Sequence, residues 1–275
     1  MLPIDRLLSF FEEDVSTGDI TTLALIPNQV VSARIEAREE MVVAGVEECV
    51  WLFEHVGVSV IVEKTDSMHV SPGTKILSLV GSAHAILSVE RTALNLLGRM
   101  SGIATATVEA QKRAAQVNDH VRISGTRKTA PGLRYFDKKA IRIGGGDPHR
   151  DSLSDMFLIK DTHRSLLPVV DAVRRAKEYS AYHKVGCEVD RLIDAVAAAE
   201  AGVDILMFDN MVPSAVQEVI DVLIARGLRH RLLLEVSGGI TLETLHMWEG
   251  VDVDRISMGA LTHSVRCADV SLEIE

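Results

Sequence analysis

The segment Ile205-Leu206-Met207-Phe208-Asp209-Asn210 is a short apolar run that ends in polar residues. Runs of this kind occur seven times after residue 120, and they alternate with stretches of helical periodicity. The seven runs are residues 121–124, 140–143, 156–159, 185–189, 205–208, 232–236 and 255–258. Strands that alternate with helices form parallel sheets, so this pattern predicts an α/β fold, a TIM-like barrel with about seven parallel strands.

Charged residues and glycines stand at or just after the ends of these runs. In a barrel the carboxyl ends of the parallel strands form one face, where such folds build their active sites. A doubly wound open sheet would also place ligands at these ends, so either fold predicts the same site. The residues concerned are Arg127, Lys128, His149, Arg150, Lys160, Glu188, Asp209, Ser237, Gly238, Gly239, Gly259 and Ala260.

The region from Arg127 to Arg150 is basic in an otherwise acidic protein. It holds seven lysines and arginines against two aspartates, whereas the whole chain carries a formal net charge of −10. A positive local field attracts small anions, and the glycines at 144–146 would let backbone N–H groups approach a phosphate or a carboxylate. The region therefore predicts a small-anion site, with a solvated basic loop as the alternative.

The composition indicates a globular protein of one large or two modest domains, since 47% of its 275 residues are hydrophobic and 25% are charged. Before residue 110, short extended runs and helical segments are mixed, which predicts an N-terminal α+β sandwich-like domain over 1–110. The barrel domain is expected over 111–265, and the tail 266–275 is expected to pack on the first domain. The extended runs are 30–37, 58–62, 75–80 and 85–89, and the helical segments are 47–55 and 90–115.

Several classes of protein are disfavoured by the same composition. Nucleic-acid binding needs a dominant basic surface, and the acidic balance and 4% aromatic content do not supply one. We find no signal peptide and no apolar stretch long enough to span a membrane, so we expect no membrane partner and a cytoplasmic location. Cys49, Cys187 and Cys267 are widely spaced, which predicts reduced packing thiols rather than a disulfide framework.

The predicted helix from residue 90 onward has an unusual polar face. At 100° per residue, Arg91, Asn95, Gly98 and Gly102 lie on one side. Glycine inside a helix costs about 1 kcal/mol relative to alanine, so the two glycines suggest a close backbone contact. We hypothesise that this stripe packs on a second subunit and brings Arg91 into a shared site. A packed helix between domains, with a structural arginine, is the alternative.

Nine short motifs follow one another between residues 90 and 262. They are residues 90–97, 101–105, 126–132, 144–146, 149–150, 158–161, 208–211, 235–240 and 257–262. In this order they resemble the quinolinate phosphoribosyltransferase family, also called nicotinate-nucleotide pyrophosphorylases. A single triple glycine would be weak evidence, whereas the ordered set is specific.

The resemblance implies a two-domain enzyme with an α/β barrel. Such an enzyme transfers a phosphoribosyl group from phosphoribosyl pyrophosphate to quinolinate, and it releases nicotinate mononucleotide, CO2 and pyrophosphate with Mg2+ as cofactor. The resemblance also implies a homodimer, or a hexamer built from dimers, in which Arg91 reaches the site of the neighbouring subunit.

The resemblance further implies a role for each candidate residue. The quinolinate ligands would be Arg91, Arg127, Lys128, His149, Arg150 and Lys160, and such cations suit two carboxylates. Glu188 and Asp209 would stabilise charge on the ribose, hold its hydroxyls or bind Mg2+. The backbone at Ser237, Gly238, Gly239, Gly259 and Ala260 would bind the 5′-phosphate. The catalytic residues would be Lys128, Lys160, Glu188 and Asp209.

The chain departs from the family pattern at two positions near the site. Many relatives have Asp at the position of Gly125 and Asn at the position of Thr162, which puts the local geometry in doubt. Three other functions stay open: a molybdenum-transport-associated paralogue, a nicotinate phosphoribosyltransferase, and a non-catalytic nucleotide-binding protein on the same fold. The lysine at position 160 favours the quinolinate enzyme over the transport-associated paralogue.

Overall fold

The computed structural model describes residues 2–275 and divides into two compact units. The first unit comprises the chain up to Val108, Thr129–Gly145 and Ser264–Glu275, and the second comprises Glu109–Lys128 and Gly146–His263. In chain order the helices and strands are α1 (Ile4–Val15), α2 (Ile20–Leu25), β1 (Val30–Ala37), β2 (Met41–Val42), α3 (Val46–His55), β3 (Ser59–Val62), β4 (His69–Val70), β5 (Lys75–Ser82), α4 (Ala83–Ala114), β6 (Arg122–Ser124), α5 (Arg134–Ile143), β7 (Phe157–Ile159), α6 (Asp161–Arg164), α7 (Val169–Tyr179), β8 (Val185–Val189), α8 (Leu192–Ala201), β9 (Ile205–Asp209), α9 (Pro213–Ala225), β10 (Leu233–Ser237), β11 (Arg255–Ser257), α10 (Ala260–His263) and β12 (Val270–Ile274).

The second unit is built on a parallel sheet. Within residues 2–275 this sheet has six strands in the order β6-β11-β10-β9-β8-β7, connected largely by helices. The α/β class with a parallel barrel-like unit is therefore confirmed. The strands are short and mostly buried, with β8 buried at all five positions, as expected for strands covered on both faces.

One of the seven predicted strands, at residues 140–143, is wrong. This segment is the last turn of α5, whose buried residues include Phe136, Ala140 and Ile141. These positions recur at helical spacing, and a four-residue apolar run cannot be distinguished from the end of an amphipathic helix by its own pattern. The basic region around it is divided accordingly, because α5 belongs to the first unit.

That division changes the meaning of the local charge. Lys139 on α5 binds Glu47 and Glu48 at 2.7 and 2.8 Å in the first unit. The glycines that follow α5 also have a structural role there: a Cβ at Gly144 would lie 2.6 Å from the carbonyl oxygen of Ala104, and Gly145 has φ +80°. The cations between residues 127 and 150 are therefore divided between the two units.

The first unit contains an antiparallel sheet in the order β12-β1-β5-β3. Ala33, Ile35 and Ala37 of β1 are buried, as the period of two requires for a half-covered strand. Glu36, which lies between the last two, is buried as well. The C-terminal strand β12 pairs with β1, with Ile35 opposite Leu272. The predicted strand at 85–89 is wrong, because Ile86, Val89 and Ala93 are buried at helical spacing within α4.

The two glycines of α4 contact the tail of the same unit. A Cβ at Gly102 would lie 2.1 Å from the carbonyl oxygen of Arg266, and a Cβ at Gly98 would lie 2.8 Å from that of Ala268. The N–H of Ala268 donates to the carbonyl of Gly98 at 2.8 Å. The predicted close backbone contact is present, but it is made by this chain, so these glycines do not argue for a subunit contact.

Replacement of Gly102 by alanine is expected to destabilise the protein. Alanine gains about 1 kcal/mol of helix propensity, but the tail backbone would have to move to admit the methyl group, and overpacking costs about 1–3 kcal/mol or more. We expect the melting temperature to fall by about 5 °C for Gly102→Ala. Gly98→Ala is the graded control and should lose less, so a rise in both variants would contradict this packing.

The three cysteines are free thiols, and two of them are buried as expected. Cys49 and Cys187 are buried, and burial raises the pKa of the Cys187 thiol to about 11. Cys267 is exposed, so the expectation of a packing thiol is wrong at that position. Across residues 2–275, we find no helix with both the length and the apolar character needed to span a bilayer.

Candidate active site

A cavity of about 500 Å³ lies in the second unit at the carboxyl ends of the parallel strands. The register explains why its residues meet: Asp209 at the end of β9 is opposite Ser237 at the end of β10, and Glu188 on β8 is opposite Met207 on β9. Its lining residues are Gly125, Thr126, Arg127, Lys128, His149, Arg150, Leu158, Lys160, Asp161, Glu188, Met207, Asp209, Asn210, Ser237, Gly238, Gly239 and Ser257.

The cavity brings together most of the residues that the sequence singled out. The predicted residues that line it are Arg127, Lys128, His149, Arg150, Lys160, Glu188, Asp209, Ser237, Gly238 and Gly239. Gly259 and Ala260 do not line it, although a Cβ at Gly259 would lie 3.1 Å from the Lys128 side chain. Arg91 belongs to the first unit, where it is exposed and lines a different cavity with Glu13 and Asp14.

Two arginines make one wall of the cavity strongly positive. Burial, and then the nearby Arg127 guanidinium, lowers the pKa of Arg150 below its ordinary value. The Nε of Arg127 is buried and, among residues 2–275, has no hydrogen-bond partner. A buried donor without a partner is costly. An anion in the cavity would supply an acceptor for the Arg127 Nε and would offset the repulsion between the two guanidinium groups.

Lys160 and Glu188 form an ion pair inside the cavity. The Lys160 Nζ lies 2.5 Å from Glu188 Oε1, and Glu188 is only 8% exposed. Lys160 directly precedes α6, and its backbone N–H donates to His163 Nδ1 at 2.9 Å. The lysine is therefore anchored at its backbone, while its ammonium group is held by a carboxylate that a substrate anion could replace.

Asp209 is fixed by its neighbours at the end of β9. Its Oδ1 accepts a hydrogen bond from Ser237 Oγ at 2.9 Å, and its Oδ2 accepts one from Asn210 Nδ2 at 3.0 Å. Asn210 has a left-handed backbone, with φ +56°. Asp209 and Glu188 thus project from neighbouring strands as two preorganised carboxylates in one cavity.

The turn after β10 is a place where only glycine fits. Gly238 has φ +100°, and a Cβ there would lie 2.2 Å from Asn210 Oδ1 and 2.9 Å from the Asn210 backbone nitrogen. The turns after β9 and β10 are consequently packed directly against each other. This close packing fixes the backbone of residues 237–239 at the rim of the cavity.

His149 occupies a constrained position beside Arg150. It has φ +58°, which is uncommon for a residue with a side chain and is typical of functional sites. Its backbone N–H donates to Asp147 Oδ1 at 2.8 Å, and its Nδ1 accepts the N–H of Arg150 at 2.7 Å. These hydrogen bonds orient the imidazole ring and assign the Nδ1 atom an acceptor role.

Glu235 and Ser257 are two buried residues at this cavity that the sequence pattern did not single out as site residues. Ser257 lines the cavity, whereas Glu235 does not. Glu235 is 2% exposed, and burial chiefly raises its pKa to about 7. It accepts a hydrogen bond from the Ser257 hydroxyl, and its Oε1 lies 3.6 Å from His149 Nε2. The sequence signal that could have found Glu235 is its position inside the apolar run 232–236, because charged residues are rarely fully buried without a partner.

The two departures from the family pattern keep ordinary backbone contacts. Gly125 donates its N–H to the carbonyl of Asp147 at 2.8 Å. Thr162 donates its N–H to Asp161 Oδ1 at 2.7 Å at the start of α6. The cations and carboxylates that line the cavity are therefore all present despite these two departures.

Family models match nearly the whole chain. The model described as quinolinate phosphoribosyl transferase, N-terminal domain, matches residues 19–101. The model described as the C-terminal domain of the same family matches residues 103–273. The two matches follow each other along the chain in the order that their descriptions give.

Named relatives agree with these matches. A probable carboxylating nicotinate-nucleotide pyrophosphorylase of Methanothermobacter thermautotrophicus is 45% identical and covers 98% of both chains. A relative with the same name from Archaeoglobus fulgidus is 42% identical and covers 94% of this chain and 98% of its own. The crystal structure of nicotinate-nucleotide pyrophosphorylase from Ehrlichia chaffeensis is 30% identical, with a TM-score of 0.93 over 100% of this chain and 99% of that one.

Proposed function

Because this chain belongs to the quinolinate phosphoribosyltransferase family, we propose that its cavity transfers the phosphoribosyl group of phosphoribosyl pyrophosphate to quinolinate. The products are nicotinate mononucleotide, pyrophosphate and CO2, as in the synthesis of NAD from quinolinate. The observation that carries this proposal is the pair Arg127 and Arg150, with a buried guanidinium donor that has no partner within the described chain.

The acceptor end of the cavity suits a dicarboxylate. Arg127, Arg150 and Lys160 can hold two carboxylates at once, and a guanidinium binds a carboxylate through two parallel hydrogen bonds. Lys128 and His149 add donors on the same side. A ligand with one carboxylate would leave part of this positive charge unpaired, which supports quinolinate over nicotinate.

The reaction has a simple electron balance. The ring nitrogen of quinolinate forms a bond with ribose C1 while the bond from C1 to the pyrophosphate oxygen breaks. The nitrogen then carries positive charge, so the electron pair of the bond to the 2-carboxylate can remain on C2 as CO2 leaves, and C2 takes up a proton. Lys128 and Lys160 are the cations that we assign to this end.

The donor end uses the two carboxylates and the glycine turns. Positive charge develops on the ribose as pyrophosphate leaves, and Glu188 and Asp209 can stabilise it or hold the ribose hydroxyls. The fixed backbone at 237–239 suits the 5′-phosphate, because N–H groups beside glycines bind phosphate oxygens. The second predicted phosphate turn, Gly259 and Ala260, stands beside Lys128 and is the weaker candidate of the two.

The donor set at Glu188 and Asp209 fits Mg2+ as a shared ion. In the described residues no group of three His, Cys, Asp or Glu side chains forms a dedicated metal cage. Mg2+ is commonly bound by one or two carboxylates together with substrate phosphates, which is what two cavity carboxylates can offer. When bound with pyrophosphate, the ion would neutralise charge on the leaving group.

We infer that Arg91 acts in the cavity of a second subunit of a homodimer, alone or within a hexamer. Its exposure on α4 and its place outside the lining of the cavity in the second unit support this assignment. Mixing inactive Arg91→Ala with inactive Lys160→Ala should restore about a quarter of the sites if dimers exchange subunits. Activity that never returns, although subunit exchange is verified with labelled protein, would contradict a shared site.

A coupled assay for nicotinate mononucleotide and CO2 tests the proposed function. Purified protein, Mg2+ and phosphoribosyl pyrophosphate are supplied with quinolinate or with nicotinate. We expect turnover with quinolinate and release of CO2 in equal amount. Turnover with nicotinate alone would show that the acceptor is wrong, and no turnover with either would favour the transport-associated paralogue or a binding protein.

A further inference from the structure

We propose that Glu235 is a positioning residue for the acceptor end of the cavity: its carboxyl group lies beside His149 and biases the direction of the imidazole Nε2–H, and its charge sets how tightly the cavity binds a dicarboxylate. This inference rests on the proposed function, since quinolinate is the dicarboxylate concerned. Glu235 does not line the cavity and touches no reacting atom, so it acts through His149 and through its charge.

The position of Glu235 is set by the middle of the sheet. It lies on β10, opposite Met207 of β9 and Arg255 of β11. A second cavity, of about 270 Å³, lies on its other side and shares His149 and Arg150 with the first. Glu235 therefore lines the second cavity and not the substrate cavity, whereas His149 and Arg150 border both.

The hydrogen bonds of His149 define what Glu235 does to it. Because Nδ1 accepts the N–H of Arg150, the proton of the neutral ring is on Nε2. This Nε2 lies 3.6 Å from Glu235 Oε1, which is longer than a hydrogen bond, so Glu235 acts on the ring through its charge. An ionised Glu235 draws the Nε2 proton toward the sheet, whereas a neutral Glu235 leaves it available to a substrate carboxylate.

The surroundings of Glu235 are of mixed charge. Asp147 and Glu188 disfavour its ionisation, while Arg255 and the Ser257 hydroxyl favour it. Burial is the largest effect, and it raises the pKa of Glu235 to about 7. The charged and titratable groups that face it, directly or across the second cavity, are Asp147, His149, Arg150, Asp155, Lys184, Glu188 and Arg255.

The direction of the effect on binding follows from these charges. Below pH 7 the carboxyl group is mostly neutral, so the cations of the cavity face the substrate without an opposing charge. As the pH rises through about 7, Glu235 becomes an anion beneath a site for a dianion. Quinolinate affinity should therefore be highest near pH 6 and should fall toward pH 8.

The test is calorimetric titration of quinolinate at pH 6 and pH 8, without donor or Mg2+. We expect the dissociation constant of the unaltered protein to rise about tenfold between these values. Glu235→Gln should show a much smaller change between the two pH values, and at pH 8 it should bind quinolinate about tenfold more tightly than the unaltered protein. Glu200→Gln, which removes an exposed glutamate from the same unit, is the matched control and should behave like the unaltered protein.

A second variant and a kinetic readout separate positioning from folding. Ser257→Ala removes the hydroxyl that favours ionisation, so the midpoint of the affinity change should move to higher pH. In steady-state assays at pH 8, Glu235→Gln should lower KM for quinolinate about tenfold and change kcat less than about twofold.

Three results would decide against the proposal. An unaltered pH dependence in Glu235→Gln would overturn the inference and leave the proposed function standing, provided that quinolinate is turned over. An unmoved midpoint in Ser257→Ala would overturn it as well, if Glu235→Gln does not fold. No quinolinate binding at either pH would overturn the inference and the proposed function together.

Discussion

Replacement of Arg127 by alanine is expected to lower kcat/KM for quinolinate about 100-fold. Its guanidinium is the group with a buried donor that lacks a partner, and removing one member of a buried ionic contact with a ligand costs about 2–5 kcal/mol. A loss of about 2.7 kcal/mol corresponds to a factor of 100. Most of the change should appear in KM, because the arginine binds the substrate both before and during the reaction.

The folded protein should tolerate this substitution. Arg127 lowers the pKa of Arg150, so the two guanidinium groups repel each other when no ligand is bound. Its removal relieves that repulsion, and we expect no fall in melting temperature. A loss of both activity and stability would mean that Arg127 holds the fold instead of the substrate.

Two variants sharpen this measurement. Arg127→Lys keeps the charge but loses the planar pair of donors. Its kcat/KM should therefore lie between those of the unaltered protein and Arg127→Ala, with a loss of about tenfold. Arg174→Ala removes an exposed arginine from α7, whose ion pairs within residues 2–275 are with Glu178 and Asp171, and it should leave the kinetics unchanged. Equal activity in Arg127→Ala and Arg174→Ala would remove the main support for the proposed function.

The fold of the second unit was largely readable from local pattern. The strands of the parallel sheet are short runs that are mostly buried, β8, β9 and β10 most fully, and such runs stand out against amphipathic helices. The strand predicted at 140–143 is wrong because this apolar run is the end of helix α5. The feature that distinguishes a helix end from a strand here is Phe136, which is buried one turn before Ala140. Gly98 and Gly102 correctly predicted a close backbone contact. The pattern of one helix could not show whether that contact is made by a second subunit or, as the structure shows, by the tail of the same chain.

The candidate site was readable for a different reason. Parallel strands carry their carboxyl ends to one face, so residues far apart in sequence, such as Lys160 and Asp209, could be placed together before any contact was known. Glu235 could not be found in this way, because its importance depends on burial and on its distance from His149. The count of positive charges between residues 127 and 150 was also misleading, because the lysines and arginines of α5 belong to the first unit and not to the unit that holds the cavity.

Replacement of Glu188 by glutamine is expected to lower kcat by about 100- to 1000-fold, which is the usual cost of removing one group that stabilises developing charge. The amide cannot balance positive charge on the ribose and is a poorer Mg2+ ligand than a carboxylate. The shape of the side chain is retained, so the position of β8 should not change. Stopped-time assays at saturating concentrations of both substrates measure this loss directly.

The ion pair with Lys160 makes the prediction for Glu188→Gln distinctive. In the unaltered protein the Lys160 ammonium lies 2.5 Å from the Glu188 carboxylate, which competes with a substrate carboxylate for the same cation. The substitution frees Lys160, so quinolinate should bind as tightly as before or more tightly while kcat collapses. Asp209→Asn, whose side-chain partners in the described residues are Ser237 and Asn210, should lower kcat without tightening quinolinate binding. If Glu188→Gln instead weakened quinolinate binding and left kcat unchanged, Glu188 would belong to the acceptor end of the cavity, and the division of the site into two ends would be wrong.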